Sequence, residues 1–166
     1  ALTQAVTEEL IPKNVATLLK LPPARKRAGT AWDSEEARRF LEAARGTDDP
    51  LYAAWVLILA LGLRKGELLG LAWDDIDEDA GELTIGWQLQ RVRKQLLRRE
   101  TKTDDSDATL PLPAICLAAL RLRRAEQAAA RAAAGSDWQG NDLVFTTRNG
   151  TPIEPRNLNR AWDLRC

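Results

Sequence analysis

Residues 51–63 form an unbroken apolar run that stops against Arg64 and Lys65, and no other stretch restricts the fold as tightly. Thirteen residues are too few to cross a bilayer, so the run predicts a helix buried in a protein core. Pro50 opens that helix and Gly62 closes it. The arginine at its exit needs a partner, because a cation at the edge of a dry region is costly unless an anion meets it. A short helix is expected over residues 65–73, and there Glu67 shares a face with Arg64 and can hold the guanidinium by one edge. The planar fork keeps further donors for a second oxyanion, and phosphate suits that geometry. Arg64 with Glu67 is therefore a candidate phosphate clamp; the alternative is a helix-turn-helix in which the pair is structural.

The pattern on either side predicts a mainly helical α+β chain. Leu2, Val6 and Leu10 recur at helical spacing until Pro12, so residues 1–20 read as a helix and a following turn. Residues 21–30, Leu21-Pro22-Pro23-Ala24-Arg25-Lys26-Arg27 and onward, read as a stiff basic linker at a domain boundary. Asp33 or Ser34 caps a second helix, with Glu35 and Glu36 in its first turn and Gly46 as its stop. The period changes to two at Glu82, where Leu83, Ile85, Trp87 and Leu89 alternate with polar residues as a half-buried strand. Residues 91–99 are expected to return as its partner, and residues 108–112 to form a third strand. A long alanine- and arginine-rich helix follows over about residues 113–134 with Gly135 as its stop, then an extended piece at Leu143-Val144-Phe145. Pro155 marks the first turn of a last helix.

Composition excludes several chemistries. At 45% hydrophobic and 29% charged residues, the chain can bury a core. It contains no histidine, so a histidine base, a zinc–histidine site and a Ser-His-Asp arrangement are excluded within these residues. Cys116 and Cys166 are too few for a cysteine-only zinc site or a disulfide framework, which points to a reducing, cytoplasmic setting. No metal or cofactor is expected, and no signal peptide or membrane span. The absence of methionine, even at position 1, is expected of a chain that begins inside a longer gene product. Net charge is zero, but the charges separate along the sequence. Asp74, Asp75, Asp77, Glu78, Asp79 and Glu82 cluster without a basic neighbour, whereas Arg91, Arg93, Lys94, Arg98, Arg99 and Lys102 face only Glu100. One face can suit phosphates and another repel them; two solvated hairpin faces are the alternative.

Gly62-Leu63-Arg64-Lys65-Gly66-Glu67-Leu68, followed by Leu71, Trp73, Asp75 and Ile76, resembles the first-arginine box of the tyrosine recombinases, the phage integrase family. Thr101-Lys102-Thr103-Asp104-Asp105-Ser106, followed by Thr109-Leu110-Pro111-Leu112-Pro113, is similar to the family's turn between the second and third strands, which carries a catalytic lysine. Asp107 and Ala108 stand where the family often has an arginine. The segment from Leu143 to Ile153, with Asn157 and Arg160, resembles the connector and helix before the family's histidine-x-x-arginine box. Asp163-Leu164-Arg165 only faintly echoes that box, and Arg165 reads as a helix surface residue.

The resemblance implies the tyrosine-recombinase catalytic-domain fold, with a small three-stranded antiparallel sheet and incomplete at its C-terminus. Residues 1–20 would be the remnant of the preceding helical DNA-binding domain, 21–30 the basic linker, and 31–166 the N-terminal part of the catalytic domain. It implies a site-specific recombinase that cuts and rejoins DNA through a 3′-phosphotyrosine, with Arg64 and Lys102 catalytic and Glu67 supporting. Arg25, Lys26, Arg27, Arg91, Arg93, Lys94, Arg98 and Arg99 would contact double-stranded DNA, and the full-length protein would self-associate on it. No small-molecule substrate is implied. The resemblance implies that the nucleophilic tyrosine, the second arginine and one or two histidines lie beyond Cys166; Tyr52, the sole tyrosine, falls in the apolar helix and reads as a core residue. The rival reading is a non-catalytic DNA-binding or interaction module from a truncated or decayed recombinase.

Overall fold

The computed structural model describes residues 2–19, 31–100 and 108–166, in two compact units, residues 1–32 and 33–166. In the first unit, α1 (Leu2–Thr7) is followed by a 3-10 turn, Val15–Leu18, capped by Asn14. Neither element buries a residue. The expected periodicity runs one turn too far: α1 ends at Thr7, Glu9 adopts φ 56°, and Leu10 is left 71% exposed. Six residues make a marginal helix, and none of the described residues buries Leu10.

The second unit holds the site. Helix α2 (Ser34–Gly46) starts at Asp33, whose carboxylate accepts from the Glu36 N–H at 2.8 Å while the Glu36 carboxylate accepts from the Asp33 N–H at 2.9 Å. It includes Gly46 and stops at Thr47 instead, whose hydroxyl bonds the Ala43 and Ala44 carbonyls. Helix α3 (Tyr52–Leu61) is the apolar run, with residues 53–57 buried. Phe40, Trp55 and Trp162 cluster at its base, with ring centroids 5.2–6.1 Å apart. Tyr52 is half-buried against the same core. Helix α5 (Ala114–Ala134) lies on α3 and buries Cys116, Ala119 and Leu120; Cys116 and Cys166 are both free thiols. No described helix is long and apolar enough to cross a membrane.

Helix α4 is Lys65–Gly70, ending short of Trp73, which begins a 3-10 turn. The sheets also depart from expectation. Strand β2 (Glu82–Ile85) pairs antiparallel with β1 (Ile76–Asp77) on one edge and β5 (Ala108–Pro111) on the other. Strand β3 (Trp87–Val92) leaves that sheet and, among the described residues, pairs only with β4 (Gln95–Glu100), in a hairpin turned at Arg93, φ 56°. The alternation from Leu83 to Leu89 is continuous, yet its two halves bond to different partners. Periodicity reports which side chains face inward; it carries no information on which strand lies alongside.

Gly70 explains how the hairpin meets α4. A Cβ there would lie 2.8 Å from the Leu89 nitrogen and 2.9 Å from Gln88 Cα, both backbone atoms that cannot swing away. Gly70→Ala is expected to destabilise the fold by about 1–3 kcal/mol, a typical overpacking penalty, read as a lower denaturant midpoint at unchanged slope. Gly46→Ala, where a Cβ would meet nothing within 4 Å, should show no such loss.

One buried charge was not legible in the sequence. Arg123 on α5 is 7% exposed, donating through Nε to the Val144 carbonyl at 3.0 Å and through Nη2 to Thr146. Its closest carboxylate, Glu126, is 4.0 Å away, and burial lowers the guanidinium pKa. Gln127 beside it donates to the Leu143 carbonyl and accepts from Trp73 Nε1 at 2.7 Å. Residues 143–146 are thereby tied to α5 and to the turn after α4.

Candidate functional site

Gly62, at φ 69° with its N–H on the Ile58 carbonyl, ends α3 in the left-handed conformation and turns the chain outward. Leu63 goes back into the core, and Arg64 becomes the N-cap of α4. The Arg64 side chain is 84% exposed, so it does not sit at a dry edge as the apolar run suggests. The left-handed turn lifts it into solvent and removes the desolvation cost. Its position is set by Glu67, which is only 11% exposed. One Glu67 oxygen accepts from the Arg64 backbone N–H at 2.9 Å and the other from Nη1 at 2.8 Å. A single carboxylate thus anchors both the helix start and the guanidinium, leaving the rest of the fork facing solvent. That arrangement can receive an oxyanion bidentately. Beside it, Lys65 Nζ donates to Asn159 Oδ1 at 3.2 Å, joining the start of α4 to α6 (Pro155–Asp163).

The basic hairpin divides into two sets. Arg93 and Lys94 at the turn and Arg99 on β4 are exposed, with no side-chain hydrogen bond or ion pair among the described residues. Arg91 and Arg98, expected beside them as phosphate contacts, are held by protein acceptors. Arg91 binds both oxygens of Glu154, the N-cap of α6, and donates through Nη1 to the Lys94 carbonyl at 2.8 Å. The guanidinium holds the Glu154 carboxyl below the usual carboxylate range. Arg98 donates to the Gly70 carbonyl at 2.8 Å and to Asp75 at 3.0 Å. Lys102, Arg25, Lys26 and Arg27 lie outside the described residues.

The acidic stretch is not left without cations, contrary to its sequence. Asp75 receives Arg98, and Glu78 receives Arg121 at 3.0 Å and Arg124 at 2.6 Å. Asp77 instead accepts from the Asp79 and Ala80 N–H groups, closing the turn before β2. Nor is Arg165 a helix surface residue. It lies beyond α6, with Nε 2.5 Å from the buried Asp49 carboxylate, which also accepts from Trp55 Nε1 at 2.8 Å. No group of metal-ligating side chains is present among the described residues.

The phage integrase family model matches residues 31–164. An integrase of Streptomyces ambofaciens is 31% identical over 171 residues, covering 98% of this chain and 42% of that protein. A XerC-like tyrosine recombinase of Caldanaerobacter subterraneus subsp. tengcongensis is 32% identical over 144 residues, covering 79% of this chain and 36% of that one. The chain therefore spans well under half the length of these curated relatives. Among solved structures, the Tn1549 transposon integrase in complex with a circular intermediate DNA superposes with a TM-score of 0.76 at 17% identity, covering 98% of this chain and 52% of that one. The XerA recombinase superposes with a TM-score of 0.61 at 24% identity, covering 87% of this chain and 45% of that one. At such identities, these two likenesses establish the fold.

Proposed function

This chain belongs to the phage integrase family, and from that premise we propose that it supplies half of the active site of a site-specific DNA recombinase. The observation that carries the reading is the Arg64–Glu67 pair, an exposed fork whose backbone and side chain are both anchored by one nearly buried carboxylate. Arg64 binds the nonbridging oxygens of the scissile phosphate and stabilises the charge that develops there. A tyrosine supplied by the remainder of the full-length protein attacks phosphorus, releasing its phenolic proton to water. The P–O5′ bond breaks, a 3′-phosphotyrosine forms, and Lys102 protonates the departing 5′ oxygen. Rejoining reverses these steps without a metal or nucleotide.

Arg93, Lys94 and Arg99 contact backbone phosphates of double-stranded DNA together with Arg25, Lys26 and Arg27 of the linker, contributing affinity more than sequence choice. Residues 1–20 belong to the preceding DNA-clamping domain, whose remaining helices cover the exposed Leu10, Leu18 and Leu19. The full-length protein self-associates on its site. The relatives named above as integrases and recombinases, one of them in complex with DNA, support this reading.

The chain by itself is expected to bind duplex DNA with an affinity that falls steeply with salt, yet to form no covalent adduct. Its only tyrosine, Tyr52, is half-buried against the core at the start of α3, the end of that helix opposite Arg64. Fluorescence anisotropy at several salt concentrations reads the first expectation. Incubation with a nicked suicide duplex and denaturing electrophoresis reads the second. A covalent band would show that the nucleophile lies within these residues; absence of any duplex binding would remove the DNA assignment. Duplex binding with no cleavage by the full-length protein would favour the non-catalytic module.

A further inference from the structure

Among the described residues, strands β3 and β4 pair only with each other, so no sheet shared among those residues fixes the hairpin against the rest of its unit. Packing of Leu89 and Leu96 on the core, the Arg91–Glu154 pair to the start of α6, contact with α4 and one side chain from β4 do this instead, and only the last of these side chains reaches the end of α4. Arg98 Nε donates to the Gly70 carbonyl at 2.8 Å, one of the C-terminal helix carbonyls that α4 cannot satisfy internally. Its Nη2 donates to Asp75 Oδ2 at 3.0 Å, and that same oxygen accepts from the Ala72 N–H at 2.8 Å. The guanidinium lies 4.7 Å from the centroid of the Trp87 ring on β3. One arginine therefore gathers the end of α4, the turn after it and both strands of the hairpin.

The opposite end of α4, six residues away, carries Arg64, and Glu67 stands between. A helix of under two turns moves as a unit, so a tilt at Gly70 is a displacement at Arg64. Side chains alternate along a strand, which sends Arg98 and Arg99 to opposite faces. Arg98 opposes the buried Leu89, whereas Arg99 opposes Gln88. In the sequence the two arginines are indistinguishable neighbours; in the fold Arg98 is engaged by two acceptors and a ring face, whereas Arg99 has no side-chain hydrogen bond or ion pair among the described residues.

We propose that Arg98 is a positioning residue for the Arg64 clamp, holding α4 against the hairpin, and that it makes no DNA contact itself. This rests on the reading of Arg64 as the phosphate clamp, and its test separates the two. In the 166-residue chain, Arg98→Met should leave the slope of log Kd against log salt unchanged, because no phosphate contact is lost. Arg99→Met should reduce that slope by about one. In the full-length recombinase, Arg98→Met should lower kcat by roughly tenfold or more at unchanged KM, consistent with a misplaced reacting group. Arg98→Lys should recover part of the loss, since an ammonium can reach Gly70 or Asp75 but cannot hold both as the fork does.

A fall in salt slope for Arg98→Met equal to that for Arg99→Met would make Arg98 a phosphate contact and overturn the proposal. Unchanged kcat would overturn it as well. If Arg98→Met fails to fold, Asp75→Asn, which weakens one tether and keeps the side-chain shape, carries the same kcat and salt-slope comparison. Failure of Arg64→Lys to impair cleavage would instead bring down the clamp on which the proposal rests.

Discussion

Arg64→Lys in the full-length recombinase is expected to slow strand cleavage by about 10²–10³-fold or more, the scale seen when one preorganised donor to a developing anion is removed. DNA affinity should change little. Lysine keeps the positive charge, so long-range attraction to the backbone persists, but it presents a point charge where the guanidinium presents a fork. The geometry makes the loss severe. Glu67 occupies one edge of Arg64 through Nη1 and fixes the backbone through the N–H, so only the remaining edge is presented outward. A lysine at position 64 would retain the backbone bond to Glu67 while losing the two-edged arrangement. Single-turnover cleavage alongside anisotropy binding measures both quantities. Equal losses of binding and cleavage would mark Arg64 as an ordinary phosphate contact.

Lys102→Ala should produce a loss of similar size, about 10²–10⁴-fold, if that lysine donates the proton to the leaving 5′ oxygen. A substrate with sulfur in place of that bridging oxygen separates the acid role from electrostatics. A thiolate leaves without protonation, so this substrate should be cleaved nearly as fast by Lys102→Ala as by the unmodified enzyme. Arg64→Lys should gain no such rescue, because stabilising charge on the nonbridging oxygens is needed whichever atom leaves. Failure of the sulfur substrate to rescue Lys102→Ala would make Lys102 a DNA anchor and place the acid elsewhere. The two variants together distinguish charge stabilisation from proton donation.

Several features were determined by the sequence alone, and each depends on residues within a few positions of one another. The capping pair Asp33 and Glu36, the stop at Gly62, the proline at the start of α6 and the spacing of Arg64 and Glu67 all fall in this class. Their interactions close inside one helical turn, so composition and spacing suffice to read them. The family resemblance rested on the same short-range words, and the family match bears it out.

The assignment of charges was decided by the tertiary structure. Arg91 meets Glu154 across 63 positions, Arg98 meets Gly70 across 28, and Arg165 meets Thr47 across 118. Nothing local distinguishes Arg98 from Arg99, or marks Arg165 as anything but a surface residue. The split of one alternating segment into β2 and β3 belongs with these. Strand partners and ion-pair partners are chosen between elements that meet only after folding. Coulomb attraction and ladder hydrogen bonds act through space, whereas periodicity and capping act along the chain.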